Sequence, residues 1–276
     1  MSVELPRIAI LGAGSMGGAI LAGLRAPGVE VAGGIAVTNR TEQKAAALRG
    51  EGVESFALES DPAANARALA GARIVLVAVK PAMVPDLLVA VRDDLEPDAV
   101  VVSVAAGVTI ATMEAAVPNP VARAMPNTPS LVRRGVTGLA GGSRISDDDL
   151  ALVRRLFETV GAVVDVPEEQ IDELSAISGS GPAYVFLLME RLTETARNLG
   201  FDEADARLMV EQTFLGAAEL LAASDDPPAE LRRRVTSPGG TTMQAIAVLE
   251  HADLTGLFDR ATAAAVARAK EMAAGA

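Results

Sequence analysis

Short apolar runs alternate with segments of helical spacing over the first 166 residues of the chain. The runs that predict strands are residues 7–11, 35–38, 73–79, 100–104, 121–125, 136–140 and 162–166. Helical spacing of apolar positions follows the first three runs, at residues 15–24, 42–49 and 81–91. The run 73–79 is nearly all apolar, which favours a strand that is buried on both faces. The alternation predicts a parallel, doubly wound α/β sheet.

The pattern changes near Pro167, and from Glu168 onward no segment predicts a strand. The helical segments are residues 182–199, 202–223 (capped by Asp202), 229–235, 242–250 and 254–273. The first of them is apolar on all sides, so it must be buried on more than one side. A domain of this size has little room for such a helix, and we expect a second copy of the chain to cover it. The sequence therefore predicts an α/β domain of residues 1–166 and an all-helical domain of residues 167–276.

Composition excludes several kinds of chemistry. The chain of 276 residues has no cysteine, no Trp and one histidine, His251. Disulfides, thiolate nucleophiles and multi-histidine metal clusters are therefore excluded, and no metal site is expected. A Ser–His–Asp triad would have to use His251, which we interpret instead as a surface or interface residue near a helix C-terminus. Redox chemistry would have to come from a bound organic cofactor.

Charge and hydropathy narrow the range of partners. The formal net charge is -12, which is the wrong sign for binding the phosphate backbone of nucleic acids. No apolar run reaches the length of a membrane-spanning helix, so no membrane partner is expected. The N-terminal residues lack the pattern of a signal peptide, and we expect a cytoplasmic location.

The hexapeptide GAGSMG at residues 12–17 has the spacing G-x-G-x-x-G and lies between the first predicted strand and helix. Glycines in this pattern form a tight turn, let the backbone approach a pyrophosphate and let the helix pack closely on the strand. The alternative is a glycine-rich turn without a ligand. The position at the start of a β-α-β pattern favours a dinucleotide site, with contacts from Gly12, Gly14, Ser15, Met16 and Gly17.

The end of the strand at residues 35–38 bears on the choice of nicotinamide cofactor. NAD-binding sites usually carry an acidic residue there to bind the ribose 2′-hydroxyl, whereas this chain continues with Asn39, Arg40 and Thr41. An Arg40 guanidinium suits a 2′-phosphate, so NADPH is favoured and NADH is left as a second possibility. The alternative is that Arg40 is a solvated loop residue.

Several polar loops follow the predicted strands or precede the later helices. Val79-Lys80-Pro81 and the small residues 103–107 follow strands at the edge where open α/β sheets bind ligands, although a plain strand end and a small-residue turn are the alternatives. Two prolines give the loop 125–129 the stiffness to hold Asn127 in place. The loops 178–182 and 236–242 offer hydroxyls and free N–H groups at helix starts, and we favour a carboxylate site in the second of these loops.

Taken together, the motifs resemble those of the pyrroline-5-carboxylate reductase family. The matching segments are GAGSMG at 12–17, NR at 39–40, AVKP at 78–81, MPNTP at 125–129, SGSGPAY at 178–184 and SPGGTT at 237–242. They keep the family's order and spacing over essentially the whole chain. One local departure is Arg73, where relatives often have Asp.

The resemblance implies a Rossmann domain followed by an all-helical domain that interlocks with a second subunit, as a homodimer or a higher oligomer. It implies reduction of the cyclic imine of pyrroline-5-carboxylate to L-proline by NAD(P)H. The implied cofactor contacts are Gly12, Gly14, Ser15, Met16, Gly17, Asn39, Arg40, Asn65, Val79, Lys80, Pro81, Ala105 and Ala106. It implies that the start of the SPGGTT helix holds the substrate carboxylate and that Thr242 hydrogen-bonds to the ring nitrogen. From the residues themselves we predict substrate contacts at Asn127, Ser237, Gly240, Thr241 and Thr242, with Ser237 on the carboxylate and with Thr242 and Ser237 as the catalytic residues.

Two other classes of function compete with this interpretation. A hydroxyacid or 6-phosphogluconate-type dehydrogenase also joins a GxGxMG domain to a helical domain, but it commonly uses a lysine base in the long central helix. Residues 182–199 contain no lysine. A non-catalytic NADP-binding protein would have no reason to keep the SPGGTT loop. Reduction of a protonated imine needs orientation and a carboxylate anchor rather than a strong acid, which suits a site without His or Cys.

Overall fold

A computed structural model describes residues 3–273 of the chain. These residues form two compact units, one of residues 3–180 with 265–273 and one of Gly181–Ala264. The first unit holds all the strands of the described chain, and the second is entirely helical. The expected fold class, a Rossmann-type α/β domain followed by a helical region, is thereby confirmed. The domain boundary after residue 166 stays a prediction.

The first unit is built on an eight-stranded sheet. The strands are β1 Val3–Leu5, β2 Ile8–Leu11, β3 Val29–Val31, β4 Ile35–Asn39, β5 Val53–Ala57, β6 Ile74–Val77, β7 Val100–Ser103, β8 Val121–Met125, β9 Gly135–Gly141 and β10 Gly161–Asp165. The order in the sheet is β10-β9-β8-β7-β6-β2-β4-β5, and β1 pairs with β3 in a separate parallel ribbon. The order reverses beside β2, which places a ligand crevice at the carboxyl ends of β2, β4 and β6.

The expectation of a wholly parallel sheet is wrong at one pair of strands. β8 and β9 pair antiparallel, whereas the other neighbours in the sheet are parallel. Only a short 3-10 turn, Thr128–Val132, lies between them. A parallel pair needs a crossover of a dozen or more residues, so this connection leaves antiparallel pairing as the available arrangement.

Helices cover both faces of the sheet. They are α1 Ser15–Leu24, α2 Glu42–Leu48, α3 Ala64–Leu69, α4 Val84–Val91, α5 Ile110–Ala116, α6 Asp147–Glu158 and α7 Ile171–Leu174. Successive residues of β2 enter opposite apolar clusters, with Ile8 and Ile10 in one and Ala9 and Leu11 in the other. This alternation is what burial on both faces requires of an apolar strand.

The remaining helices are α8 Gly181–Asn198, α9 Glu203–Ala222, α10 Pro228–Arg234, α11 Thr241–His251 and α12 Leu254–Ala273. Asp202 caps α9, since its side chain accepts a hydrogen bond of 2.9 Å from the Asp205 N–H. No helix in the described part of the chain is both long and apolar enough to cross a membrane.

Candidate cofactor and substrate sites

A cavity of about 470 Å³ opens at the carboxyl ends of β2, β4 and β6. Seven residues predicted to contact the cofactor line it: Gly12, Gly14, Asn39, Arg40, Asn65, Val79 and Lys80. Six other residues are predicted to contact the cofactor. Ser15, Met16 and Gly17 form the first turn of α1. Pro81 begins the 3-10 turn after β6, and Ala105 and Ala106 follow β7. Those six are not part of the cavity lining, and their contact with a cofactor stays a prediction.

The glycine loop has little room for side chains at two positions and open space at a third. Gly12 has φ +89°, and a Cβ there would lie 2.7 Å from Val79 Cγ1. A Cβ on Gly17 would lie 2.8 Å from the Gly12 carbonyl oxygen. At Gly14 a Cβ would meet nothing within 4 Å, and no side chain caps the N–H groups at the start of α1. The loop thus offers free N–H groups and space to an anion.

Two residues of the cavity lining each carry a buried amide atom without a protein partner. Asn39 is only 5% exposed, and its Nδ2 makes no hydrogen bond; the Oδ1 of Asn65 is likewise buried and unpartnered. Both residues line the cavity. An unsatisfied buried polar atom costs free energy, so these atoms fit a site whose ligand completes their hydrogen bonding. A dinucleotide, which carries ribose hydroxyls and phosphates, supplies such partners.

The cavity is positively charged in an acidic protein. Its lining includes Arg40, Lys44 and Lys80, and no acidic residue of the described chain is among the lining residues. The whole sequence has a net charge of -12. A concave site that concentrates positive charge in this way favours an anionic ligand. Lys44 is not among the residues predicted from the sequence, although it follows Arg40 by four positions, which is one helical turn.

Asn127 has both ends of its side-chain amide engaged by the backbone. Its Nδ2 donates to the Ser178 carbonyl oxygen at 2.8 Å, and its Oδ1 accepts from the Val136 N–H at 2.8 Å. The residue is 7% exposed. It joins β9 to the π-helical turn Ser175–Gly179 that precedes α8. Its contact with substrate stays a prediction.

The remaining predicted substrate residues lie together in the second unit. The Gly240 N–H donates to the Ser237 carbonyl oxygen at 3.0 Å, and Gly239 has φ +71°. This closed turn, with Pro238 at its second position, is typical of the Pro-Gly turns that require a positive φ at the third. Thr241 and Thr242 begin α11, whose first N–H groups have no side-chain cap. The turn brings two kinds of anion-binding donor together, hydroxyls and free N–H groups.

Comparison with known proteins identifies relatives of this chain over its whole length. The family model for pyrroline-5-carboxylate reductase dimerisation matches residues 168–272, and that for NADP oxidoreductase, coenzyme F420-dependent, matches residues 7–107. The pyrroline-5-carboxylate reductase of Pseudomonas aeruginosa is 41% identical over 274 residues, covering 98% of both chains. That of Corynebacterium melassecola is 39% identical, covering 96% of this chain and 98% of its own.

Solved structures lead to the same family. A pyrroline-5-carboxylate reductase from Coxiella burnetii has 40% identity and a TM-score of 0.87, covering 96% of this chain and 97% of its own. The Plasmodium falciparum pyrroline carboxylate reductase, solved with NADP bound, has 25% identity and a TM-score of 0.78, and the match covers 97% of this chain and 98% of its own. Identity of 39–41% over the whole length decides against the two alternatives, a hydroxyacid-type dehydrogenase and a non-catalytic NADP-binding protein. The chain belongs to the pyrroline-5-carboxylate reductase family.

Proposed function

We propose that this chain reduces the carbon–nitrogen double bond of pyrroline-5-carboxylate to give L-proline, with NADPH rather than NADH as the hydride donor. As a member of its family, the chain is an oxidoreductase acting on the CH–NH group, in proline biosynthesis. The observation that carries the cofactor preference is Arg40, which lines the cavity just beyond β4. NAD-binding folds place an acidic residue at that position, whereas a guanidinium matches a 2′-phosphate.

The first unit supplies the cofactor site in this proposal. NADPH, when bound, supplies a hydride to the imine carbon. The free N–H groups after Gly14 hold the pyrophosphate. The Asn39 Nδ2 donates a hydrogen bond to the ligand, and the Asn65 Oδ1 accepts one from it. The loops at 79–81 and 105–106 complete the wall against the nicotinamide half.

The turn before α11 supplies the substrate site. Ser237 and the Thr241 N–H bind the carboxylate, which fixes the ring, whereas the Gly240 N–H already donates to the Ser237 carbonyl oxygen. The Thr242 hydroxyl hydrogen-bonds at the ring nitrogen, which carries the proton while the neighbouring carbon accepts the hydride pair. A protonated imine is already electrophilic, so positioned donors suffice without a metal ion or a strong acid.

We also propose that the chain acts as a homodimer formed through residues 167–276. The match of residues 168–272 to the family's dimerisation model supports self-association. An assembly larger than a dimer and a cytoplasmic location stay predictions.

Exchange of Arg40 for an acidic residue tests the cofactor preference. Arg40→Asp should raise the KM for NADPH by about 10- to 100-fold, because a charge-assisted contact to phosphate is lost and a like charge is added. The KM for NADH should change by less than about threefold, since NADH has a hydroxyl at that position. The measurement is steady-state oxidation of each cofactor with pyrroline-5-carboxylate as the acceptor.

Arg92→Asp is the matched control, because Arg92 is exposed and lies away from the cavity lining. It should leave both Michaelis constants unchanged. Equal effects of Arg40→Asp on the two cofactors would remove the 2′-phosphate assignment, and failure of the unaltered protein to oxidise either cofactor would remove the proposed reaction.

A further inference from the structure

Lys44 is a cation at the cofactor cavity that no predicted motif includes. The chain has three lysines, Lys44, Lys80 and Lys270, and the first two line the same cavity. Lys44 is the third residue of α2 and is exposed. It shares with Arg40 the part of the lining that follows the end of β4. Two cations therefore border the region in which a nucleotide's 2′ position is expected.

The carboxylates near Lys44 are engaged by other groups. Arg49 donates to the two carboxylate oxygens of Glu42 at 2.5 and 3.1 Å. This hydrogen bonding holds the pKa of the Glu42 carboxyl below its ordinary value of 4.5. Glu59 accepts a hydrogen bond of 2.7 Å from the Glu42 N–H. Neither glutamate lines the cavity, and within residues 3–273 Lys44 has no ion-pair partner within 4.0 Å.

We infer that Lys44 and Arg40 together form the subsite for the 2′-phosphate, so that Lys44 is a second determinant of cofactor specificity; this inference rests on the proposed preference for NADPH. A phosphomonoester carries between one and two negative charges at neutral pH, more than one guanidinium neutralises. Arg40 provides a planar fork of donors, and Lys44 adds a flexible point charge. Because NADH carries a neutral hydroxyl there, the Lys44 ammonium adds little to its binding.

Binding titrations with cofactor fragments separate this role from general attraction. The ligands are NADPH and NADH, followed by nucleotide fluorescence, and adenosine 2′,5′-bisphosphate and AMP as competitors. Lys44→Gln should weaken the affinity for NADPH and for adenosine 2′,5′-bisphosphate by about 3- to 10-fold, as expected for an exposed contact between a cation and a phosphate. NADH and AMP should change by less than about twofold. Lys44→Arg should recover most of the lost affinity, because it restores the charge.

Lys270→Gln is the matched control, because Lys270 pairs with Glu173 at 3.4 Å and does not line the cavity. It should leave all four affinities unchanged. Loss of NADPH and NADH binding to the same extent in Lys44→Gln would overturn the inference and make Lys44 a general electrostatic contact, and unchanged NADPH binding would make it a solvated helix residue.

The same titrations distinguish this inference from the proposal on which it rests. If the unaltered protein binds NADPH no tighter than NADH, the cofactor preference fails and the Lys44 inference fails with it. If the unaltered protein prefers NADPH and Arg40→Gln alone abolishes that preference, while Lys44→Gln has no effect, only the Lys44 inference is overturned. Circular dichroism spectra of each variant exclude loss of folding as the cause.

Discussion

The groups that the candidate substrate site offers are hydroxyls and backbone N–H groups rather than titratable acids and bases. The turn before α11 provides Ser237 and Thr242, whereas the charged groups Arg40, Lys44 and Lys80 line the cofactor cavity. His251 is exposed in the last turn of α11, where its Nδ1 lies 2.8 Å from the Ala247 carbonyl oxygen. Chemistry of this kind suits a substrate that is already electrophilic, because the protein then needs to position the reactants.

Substitution of Ser237 should mainly affect substrate binding, whereas substitution of Thr242 should mainly affect turnover. Ser237→Ala should raise the KM for pyrroline-5-carboxylate more than it lowers kcat, because the proposed carboxylate contact exists before and during reaction. Thr242→Ala should lower kcat by about 10- to 1,000-fold, since it removes a donor that acts on the reacting nitrogen. Steady-state kinetics with pyrroline-5-carboxylate measures both constants.

Thr242→Ser is the control for this pair of variants, because it keeps the hydroxyl and should keep most of the turnover. Affinity for NADPH, measured by fluorescence titration, should stay unchanged in all three variants. Full turnover in Thr242→Ala, or a loss of NADPH binding in both alanine variants, would mean that the turn belongs to cofactor binding or folding.

Whole elements were predictable from sequence where burial is complete. β2 and β6 are continuous apolar runs, β4 begins with one, and all residues of the three strands are buried. β5 was missed because one of its buried positions is the polar Ser55, so the sequence does not show the alternation of apolar and polar residues that predicts a strand. α6 was missed although Leu152, Val153, Leu156 and Phe157 show helical spacing, since three aspartates at its start make it look like a loop. Both elements are recognised only when the surface against which they pack is known.

The candidate site divides in the same way. Short motifs identified the glycine loop and the residues after β4, because the fold requires those residue types locally. The hydrogen bonds of Asn127 to Ser178 and Val136 join separate elements of the chain, the first of them across 51 residues. No local pattern encodes which side chains will meet across such a distance, so these features appear only in the folded chain.

The start of α6 is fixed by a contact to the sheet that should be sensitive to pH. Ser146 caps the helix, and the Asp149 carboxylate pairs with Arg73 at the amino end of β6. Burial raises the pKa of the Asp149 carboxyl, but hydrogen bonds from Arg73 and Ser146 outweigh that effect and lower it below its ordinary value of 3.8. A carboxyl with a lowered pKa stabilises the fold above its ordinary pKa, and this stabilisation is lost as the pH falls through the folded value.

Asp149→Asn should therefore lower the melting temperature at pH 7 by about 2–6 °C. The difference between the variant and the unaltered protein should shrink below pH 3.8, because the carboxyl itself is then losing its charge. Thermal unfolding followed by circular dichroism at a series of pH values measures this. Asp148→Asn, at an exposed aspartate in the same helical turn, should have little effect. A difference that persists unchanged at low pH would show that packing, rather than charge, accounts for the contribution of Asp149.

At the scale of the whole molecule, the second unit leaves an unusual amount of apolar surface uncovered. α8 has no buried residue, although its sequence is apolar on several sides. Val185, Phe186, Leu187, Leu188 and Leu192 are between 42% and 60% exposed in the single chain. Monomeric proteins rarely expose a contiguous apolar surface of this kind, and such surfaces mark contacts with another chain. The family's dimerisation model covers the same residues.

A dimer in which α8 is covered by the second copy should be obligate, because exposure of this helix costs free energy in any separated subunit. Sedimentation at micromolar concentration should then detect no species at the 28.2 kDa mass of one chain. Phe186→Glu should produce monomer or aggregate and lower the melting temperature, since it places a charge in the covered surface. Val89→Glu, at an equally exposed apolar position on α4, should leave the sedimentation unchanged. A stable and active monomer of the unaltered chain would contradict the proposal and would leave the apolar surface of α8 without an explanation.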